Sequence, residues 1–219
     1  MLIIPRGEFE STKADVALNE SLDTAVEYEQ HKLLWERFRV GDKASFGILT
    51  EKFYRPLHNY AMKLTRDDEF TADCIQDLYL ELWERRSFLG KSENVKSYLL
   101  KATRNKIIKE SIRLRRFRQP EDLDFIADKD APVELEIVAT ESERQKIDHL
   151  KKLLGELSKR QQEIIYLRFY QNLEFSEISE VMGLTRQSVA NLLHRTIRDI
   201  RNKWIIPFFF CILLDYICL

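Results

Sequence analysis

Residues that stop helices are scarce in this chain, whose 219 residues include only six glycines and five prolines. Between them run long stretches of Leu, Ile, Glu, Lys and Arg, so the fold is expected to be all-α. Cysteine is nearly absent. The three thiols, Cys74, Cys211 and Cys218, make no CxxC pair and no disulfide framework, which fits a reducing cytoplasm. Four scattered histidines cannot be assembled by spacing into a metal cluster, so no metal or cofactor is expected. With no nucleophile–base pair and no glycine-rich phosphate loop, neither catalysis nor a small-molecule substrate is expected. A signal peptide is missing too: Met1-Leu2-Ile3-Ile4 is a short apolar run before Pro5, and acidic sequence follows. The longest greasy stretch, residues 205–219, is interrupted by Pro207 and Asp215. It falls short of the roughly 20 residues a membrane helix needs. Packing against the preceding domain or a partner protein is one reading of this tail, and membrane association is the other.

The net charge of −1 hides a pattern. Residues 1–31 carry 2 basic and 7 acidic side chains, and residues 32–118 carry 20 and 12. Residues 119–148 then carry 3 and 10, and residues 149–203 carry 10 and 6. Two basic blocks joined by an acidic strap imply a polyanionic partner for the blocks.

The organisation follows from periodicity. Residues 1–28 are weakly periodic and are expected to be a disordered acidic leader. Helices are expected over 29–40, over 43–64 with Asp42 as cap and Pro56 inside, and over 68–85. A fourth, over 94–116, is expected to bury Val95, Tyr98, Leu99 and Ala102. Residues 29–118 thus form a first helical domain. Residues 119–139, with Pro120, Pro132 and seven Asp and Glu, form a flexible acidic linker. A second domain spans 140–204, where Ser158 and Gln161 have capping-box spacing ahead of an apolar helix.

The second domain carries the sharpest motif. A helix over 174–182 is followed by a Gly183-Leu184-Thr185 turn and a second helix. In that helix Val189, Leu192, Leu193, Ile197, Ile200 and Trp204 make one apolar stripe. Arg186, Gln187, Ala190, Asn191, His194 and Arg198 lie away from it. That is a helix-turn-helix, whose second helix enters the major groove N-terminal end first. Arg, Gln and Asn can pair bidentately with base edges.

Two further patterns lie in the first domain. Asp73, Asp77, Glu81 and Glu84, with Trp83 beside them, make an acidic ridge better suited to docking a protein than to holding a metal. Downstream, a single Glu110 interrupts eight basic residues between Lys101 and Arg118. Lys101, Arg104, Lys106, Lys109, Arg113, Arg115 and Arg116 are suited to neutralising phosphates. Tyr98 either stacks on an unpaired base, as Phe88 could, or belongs to the core.

In this order and spacing, residues 73–85, 98–105, 157–169 and 177–189 resemble a bacterial RNA polymerase sigma factor of the sigma-70 family, in its extracytoplasmic-function group. The resemblance spans about residues 33–204. Tyr98 stands where the family often has Trp, the leader is longer than usual, and the apolar tail is not a general family feature. The resemblance implies that Asp73, Asp77, Glu81 and Trp83 dock on core RNA polymerase. It implies that Tyr98, Lys101, Arg104, Asn105, Lys106, Lys109, Arg113, Arg115 and Arg116 hold the downstream promoter element, with the 87–93 loop capturing an extruded base. The helix-turn-helix would read the upstream element with Arg186, Gln187, Ala190, Asn191 and His194, while Ser188, Arg195 and Arg198 position the phosphates. An anti-sigma factor is a partner by resemblance alone. The rival reading is a dimeric helix-turn-helix regulator that binds a palindrome without polymerase.

Overall fold

The computed structural model describes the backbone of residues 13–114 and 141–217, and the side chains of residues 25–114, 144 and 148–203. The linker 119–139, Arg115, Arg116 and the side chains of the tail lie outside the described residues. All regular structure among the described residues is helical. The elements are α1 (Lys13–Arg39), α2 (Lys43–Thr65), α3 (Asp68–Arg85) with a short 3-10 turn after it, and α4 (Val95–Arg113). They continue with α5 (Glu141–Gly155), α6 (Lys159–Ile165), α7 (Phe175–Met182) and α8 (Arg186–Ile217). No helix of the described residues is long and apolar enough to cross a membrane.

These elements form two compact units, residues 1–49 with 85–95 and residues 50–84 with 96–219. In the first, Trp35 and Phe38 of α1 are buried and touch at 5.2 Å, and Phe46 stacks on Phe38 at 4.9 Å. Gly41 has φ +100°, a conformation that costs an L side chain dearly, and so the chain turns between α1 and α2. Asp42 then caps α2, accepting from the Ala44 amide at 3.0 Å and the Ser45 hydroxyl at 2.7 Å. The α1 helix begins at Lys13, well before Glu29. Periodicity could not reveal this, because residues 13–28 carry little apolar pattern. They hold many good helix formers, however, and no Gly or Pro.

The second unit buries Phe53, Leu57, Tyr60, Ala61 and Leu64 of α2 with Cys74, Ile75, Leu78 and Leu82 of α3. Asp67 caps α3, accepting from the Phe70 amide at 2.9 Å. The α4 helix departs from expectation. Val95 and Leu99 are buried as expected, but Tyr98 and Ala102 are only half-buried, while Leu100, Thr103, Ile107 and Ser111 are fully inside. A helix covered on several sides cannot show a single apolar stripe, and this misplaces its inward face in any periodicity argument. From α5 to α8 the core comprises Leu153, Leu157, Ile164, Leu167, Leu173, Ile178, Val181, Val189 and Leu193. The Ser158–Gln161 capping box forms as the spacing requires. After α6 the chain widens into a π-helical turn, Tyr166–Tyr170, where the Gln171 amide donates to the Tyr166 carbonyl at 3.0 Å.

Candidate nucleic-acid interface

The helix-turn-helix forms where its residues demand. Glu174 caps α7 in a reciprocal capping box with Glu177, and Gly183 ends the helix in the left-handed conformation at φ +65°. Thr185 starts α8 by accepting from the Ser188 amide at 3.1 Å. Val189 and Leu193 are buried. Ile197, expected in the same stripe, is 44% exposed, and the β-branched Thr196 takes the inward position. Its hydroxyl makes that possible by donating to the Leu192 carbonyl at 2.8 Å. Arg186, Gln187, Ser188, Asn191, His194, Arg195 and Arg198 are exposed together, and Ala190 is half-buried. No carboxylate occurs between Arg186 and Arg198. The Gln187 amide donates to the Asn191 side chain at 3.1 Å, so two potential base-reading groups are already ordered one turn apart.

The basic residues of α4 do not share one fate. Lys109 and Asn105 are exposed, and Arg113 is exposed and pairs with Glu110. Lys106 is turned inward: its side chain is 7% exposed, and its ammonium lies 2.7 Å from Glu81, 3.2 Å from Asp77 and 3.6 Å from Glu110. Burial alone would depress its pKa, but the hydrogen bonds it donates to Glu81 and Asp77 overcome this and hold it above the ordinary lysine value. Arg104 donates to Glu163 at 3.2 Å, and Lys101 lies 3.7 Å from Glu180. The charge run visible in the sequence is therefore partly consumed inside the protein.

On α3, Asp73, Asp77 and Glu84 are exposed, and Glu81 and Trp83 are half-buried. The pattern of charges alone missed Leu80, which is 63% exposed between them. Leu80 thus puts apolar area in the middle of the acidic ridge. The signal was present, since Leu80 stands three and four residues from Asp77, Trp83 and Glu84. Cys74, beside Asp73 on the same helix, is buried, and burial pushes its thiol up to about 11, which makes it an inert core residue.

Two family models match the chain, "Sigma-70 region 2" over residues 49–118 and "Sigma-70, region 4" over residues 153–202. The chain belongs to the sigma-70 family, in its extracytoplasmic-function group. It is 22% identical over 165 residues to the ECF RNA polymerase sigma factor SigK of Mycobacterium sp. (strain KMS), covering 74% of this chain and 83% of that one. With SigK of Mycobacterium tuberculosis (strain H37Rv) the identity is 20% over 173 residues, covering 77% and 90%. The fold is similar to that of CnrH, solved with the cytosolic domain of CnrY, with a TM-score of 0.52, 18% identity and coverage of 78% and 94%. It is also similar to RpoE of Bartonella quintana, solved with the anti-sigma factor NepR, with a TM-score of 0.51, 16% identity and coverage of 74% and 97%. As a sigma factor the protein binds core RNA polymerase, recognises promoter DNA and directs initiation. The region 2 match upstream of the helix-turn-helix is what a dimeric regulator would lack.

The sigma factor's 87–93 loop is held by α1, and sequence reasoning missed the residues that do it. The Trp35 indole N–H donates to the Gly90 carbonyl at 3.1 Å, and Arg39 donates to the Leu89 carbonyl at 2.6 Å. Lys32 pairs with Glu93 at 2.9 Å. Within this anchored loop segment Phe88 is 85% exposed, an aromatic face open to a stacking partner. No periodicity could announce these contacts, which link residues 50 to 55 apart at a loop backbone.

Proposed function

We propose that residues 140–204 form the upstream-element domain, reading base edges with Arg186, Gln187, Ala190, Asn191 and His194. Ser188, Arg195 and Arg198 hold the flanking phosphates. Residues 29–118 form the domain for core docking and the downstream element. Its DNA contacts come from Tyr98, Lys101, Arg104, Asn105, Lys109 and Arg113, with Arg115 and Arg116 extending the run. Lys106 instead braces α4 against α3. Asp73, Asp77, Glu81 and Trp83, with Leu80, form the polymerase-docking ridge. The exposed Phe88 loop captures an extruded base, a step that costs a few kcal/mol per base.

The single observation that carries this reading is the exposed, carboxylate-free face of α8 from Arg186 to Arg198. Support for an anti-sigma partner comes from the neighbours, since RpoE of Bartonella quintana was solved bound to one. Working alongside polymerase, the protein acts in the cytoplasm. The test adds the purified chain to sigma-free core polymerase and maps the transcripts. Defined start sites that shift with substitutions in α8 support the assignment. A chain that ignores core enzyme yet binds symmetric operators as a dimer refutes it.

A further inference from the structure

The two central carboxylates of the acidic ridge share a cation that another helix supplies. Asp73 and Glu84 are exposed at the two ends of the ridge. Between them the Lys106 ammonium of α4 donates to Glu81 at 2.7 Å and lies 3.2 Å from Asp77. Glu110, one turn along α4, approaches the same ammonium at 3.6 Å. An ammonium has three N–H donors, and three carboxylates surround this one. Burial is uneven across the cluster. The Lys106 and Glu110 side chains are 7% and 11% exposed, whereas Asp77 and Glu81 are 58% and 46% exposed. The cation is therefore inside, and the two ridge carboxylates that it holds face water. All four residues belong to one compact unit.

We propose that Lys106 is a positioning residue for polymerase docking, fixing Asp77 and Glu81 in the arrangement in which the ridge meets its partner. Left alone, like charges at i and i+4 on a helix repel, and each carboxylate would turn separately to water. The ammonium between them replaces that repulsion with a bridge. It engages one oxygen of each, Oδ2 of Asp77 and Oε1 of Glu81, and their exposure leaves the other oxygen for a cation of the partner. Ordering long side chains is part of the cost of forming an interface, and here it is met before polymerase arrives. Leu80, 63% exposed, lies in the turn between the two, so the fixed carboxylates flank an apolar contact. Burial of the cation matters as well. Salt screens a buried pair much less than an exposed one, and a buried ammonium is not itself presented to a basic partner. The pair and its cation together keep a net negative charge. The proposal rests on the reading of α3 as the docking ridge.

The test titrates the full chain against sigma-free core polymerase and reads the dissociation constant. Thermal melts confirm that each variant is folded at the assay temperature. Lys106→Met should weaken core binding about tenfold, because two side chains must then be ordered on docking. Lys106→Gln, which keeps a polar end beside Glu110, is the second variant should the first fold poorly. Lys106→Arg keeps the charge and should retain most of the affinity. The deciding comparison repeats Lys106→Met in a chain that already carries Asp77→Asn and Glu81→Gln. With no carboxylate left to position, it should there change core affinity little, a non-additivity that lost stability alone would not produce. Equal weakening in both backgrounds overturns the proposal, since Lys106 would then act through the fold. Unchanged or tighter binding by Lys106→Met, where Asp77→Asn with Glu81→Gln weakens it, also overturns the proposal and leaves the ridge standing. If the carboxylate substitutions themselves leave core binding unchanged, the reading of the ridge has failed, and the proposal with it.

Discussion

Replacing Lys106 with methionine tests how α4 divides its charges between the fold and the promoter. Methionine keeps an unbranched apolar stem and discards the ammonium that faces Glu81, Asp77 and Glu110. Breaking a fully buried ion pair costs about 3–5 kcal/mol. That figure must be cut here. Asp77 and Glu81 are 58% and 46% exposed and can turn to water, and Glu110 keeps Arg113. A loss of about 1–2 kcal/mol remains, which for a chain of this size lowers the melting temperature by roughly 3–6 °C. The pH dependence has a definite sign, because the folded-state pKa of Lys106 is raised above 10.5. Its stabilisation is fully present below that value and is lost only as pH climbs through the folded one. The gap between wild type and variant should therefore be level through neutral pH and close only in strong alkali. Thermal melts read the stability, and salt titrations of promoter binding by reconstituted holoenzyme read the charge. Each phosphate contact contributes about 0.9 to the slope of log K against log salt. Lys106→Met should leave that slope unchanged, whereas Lys109→Ala should reduce it by about one. An unaltered melt with a slope reduced by one would refute the placement of Lys106 as a brace.

Other substitutions separate fold from function. Arg186→Ala should weaken promoter binding by about 1–3 kcal/mol and relax preference at one or two positions, read by binding to a panel of single-base variants. Equal loss on every sequence would make Arg186 a backbone contact. Gly183→Ala meets no atom within 4 Å but must adopt φ +65°. It should lower stability by roughly 1–2 kcal/mol in a urea melt without a packing defect. Leu80→Asp, at a 63% exposed position, should leave the melt intact while weakening association with core polymerase about tenfold or more in a pull-down titration. Normal core binding would remove Leu80 from the docking ridge.

Much of the fold was legible because its signals are local. The Ser158–Gln161 and Asp42 caps, the Gly183 turn and the start of α8 at Arg186 each depend on residues within about one turn of each other. The exposed face from Arg186 to Arg198 followed from period alone. The candidate site was less legible wherever a charge had a choice of partner. Lys101, Arg104, Lys106 and Lys109 look equivalent as a run of basic residues. Yet one is exposed, one pairs across to α3, and two pair with residues 59 and 79 positions away. Similarly, nothing local marks Trp35 as the anchor of Gly90, or Thr196 rather than Ile197 as the inward residue of α8.

The sequence by itself determined an all-helical chain, the helix-turn-helix with its carboxylate-free face, the acidic ridge and the alternation of basic blocks with acidic straps. Tertiary structure decided which cations remain free for phosphate, which face of α4 is inside, and that Glu163 meets Tyr60 across 103 residues. The reason is range. Caps, turns and periodicity are settled by neighbours along the chain, whereas burial and the pairing of charges depend on which distant helices arrive beside them.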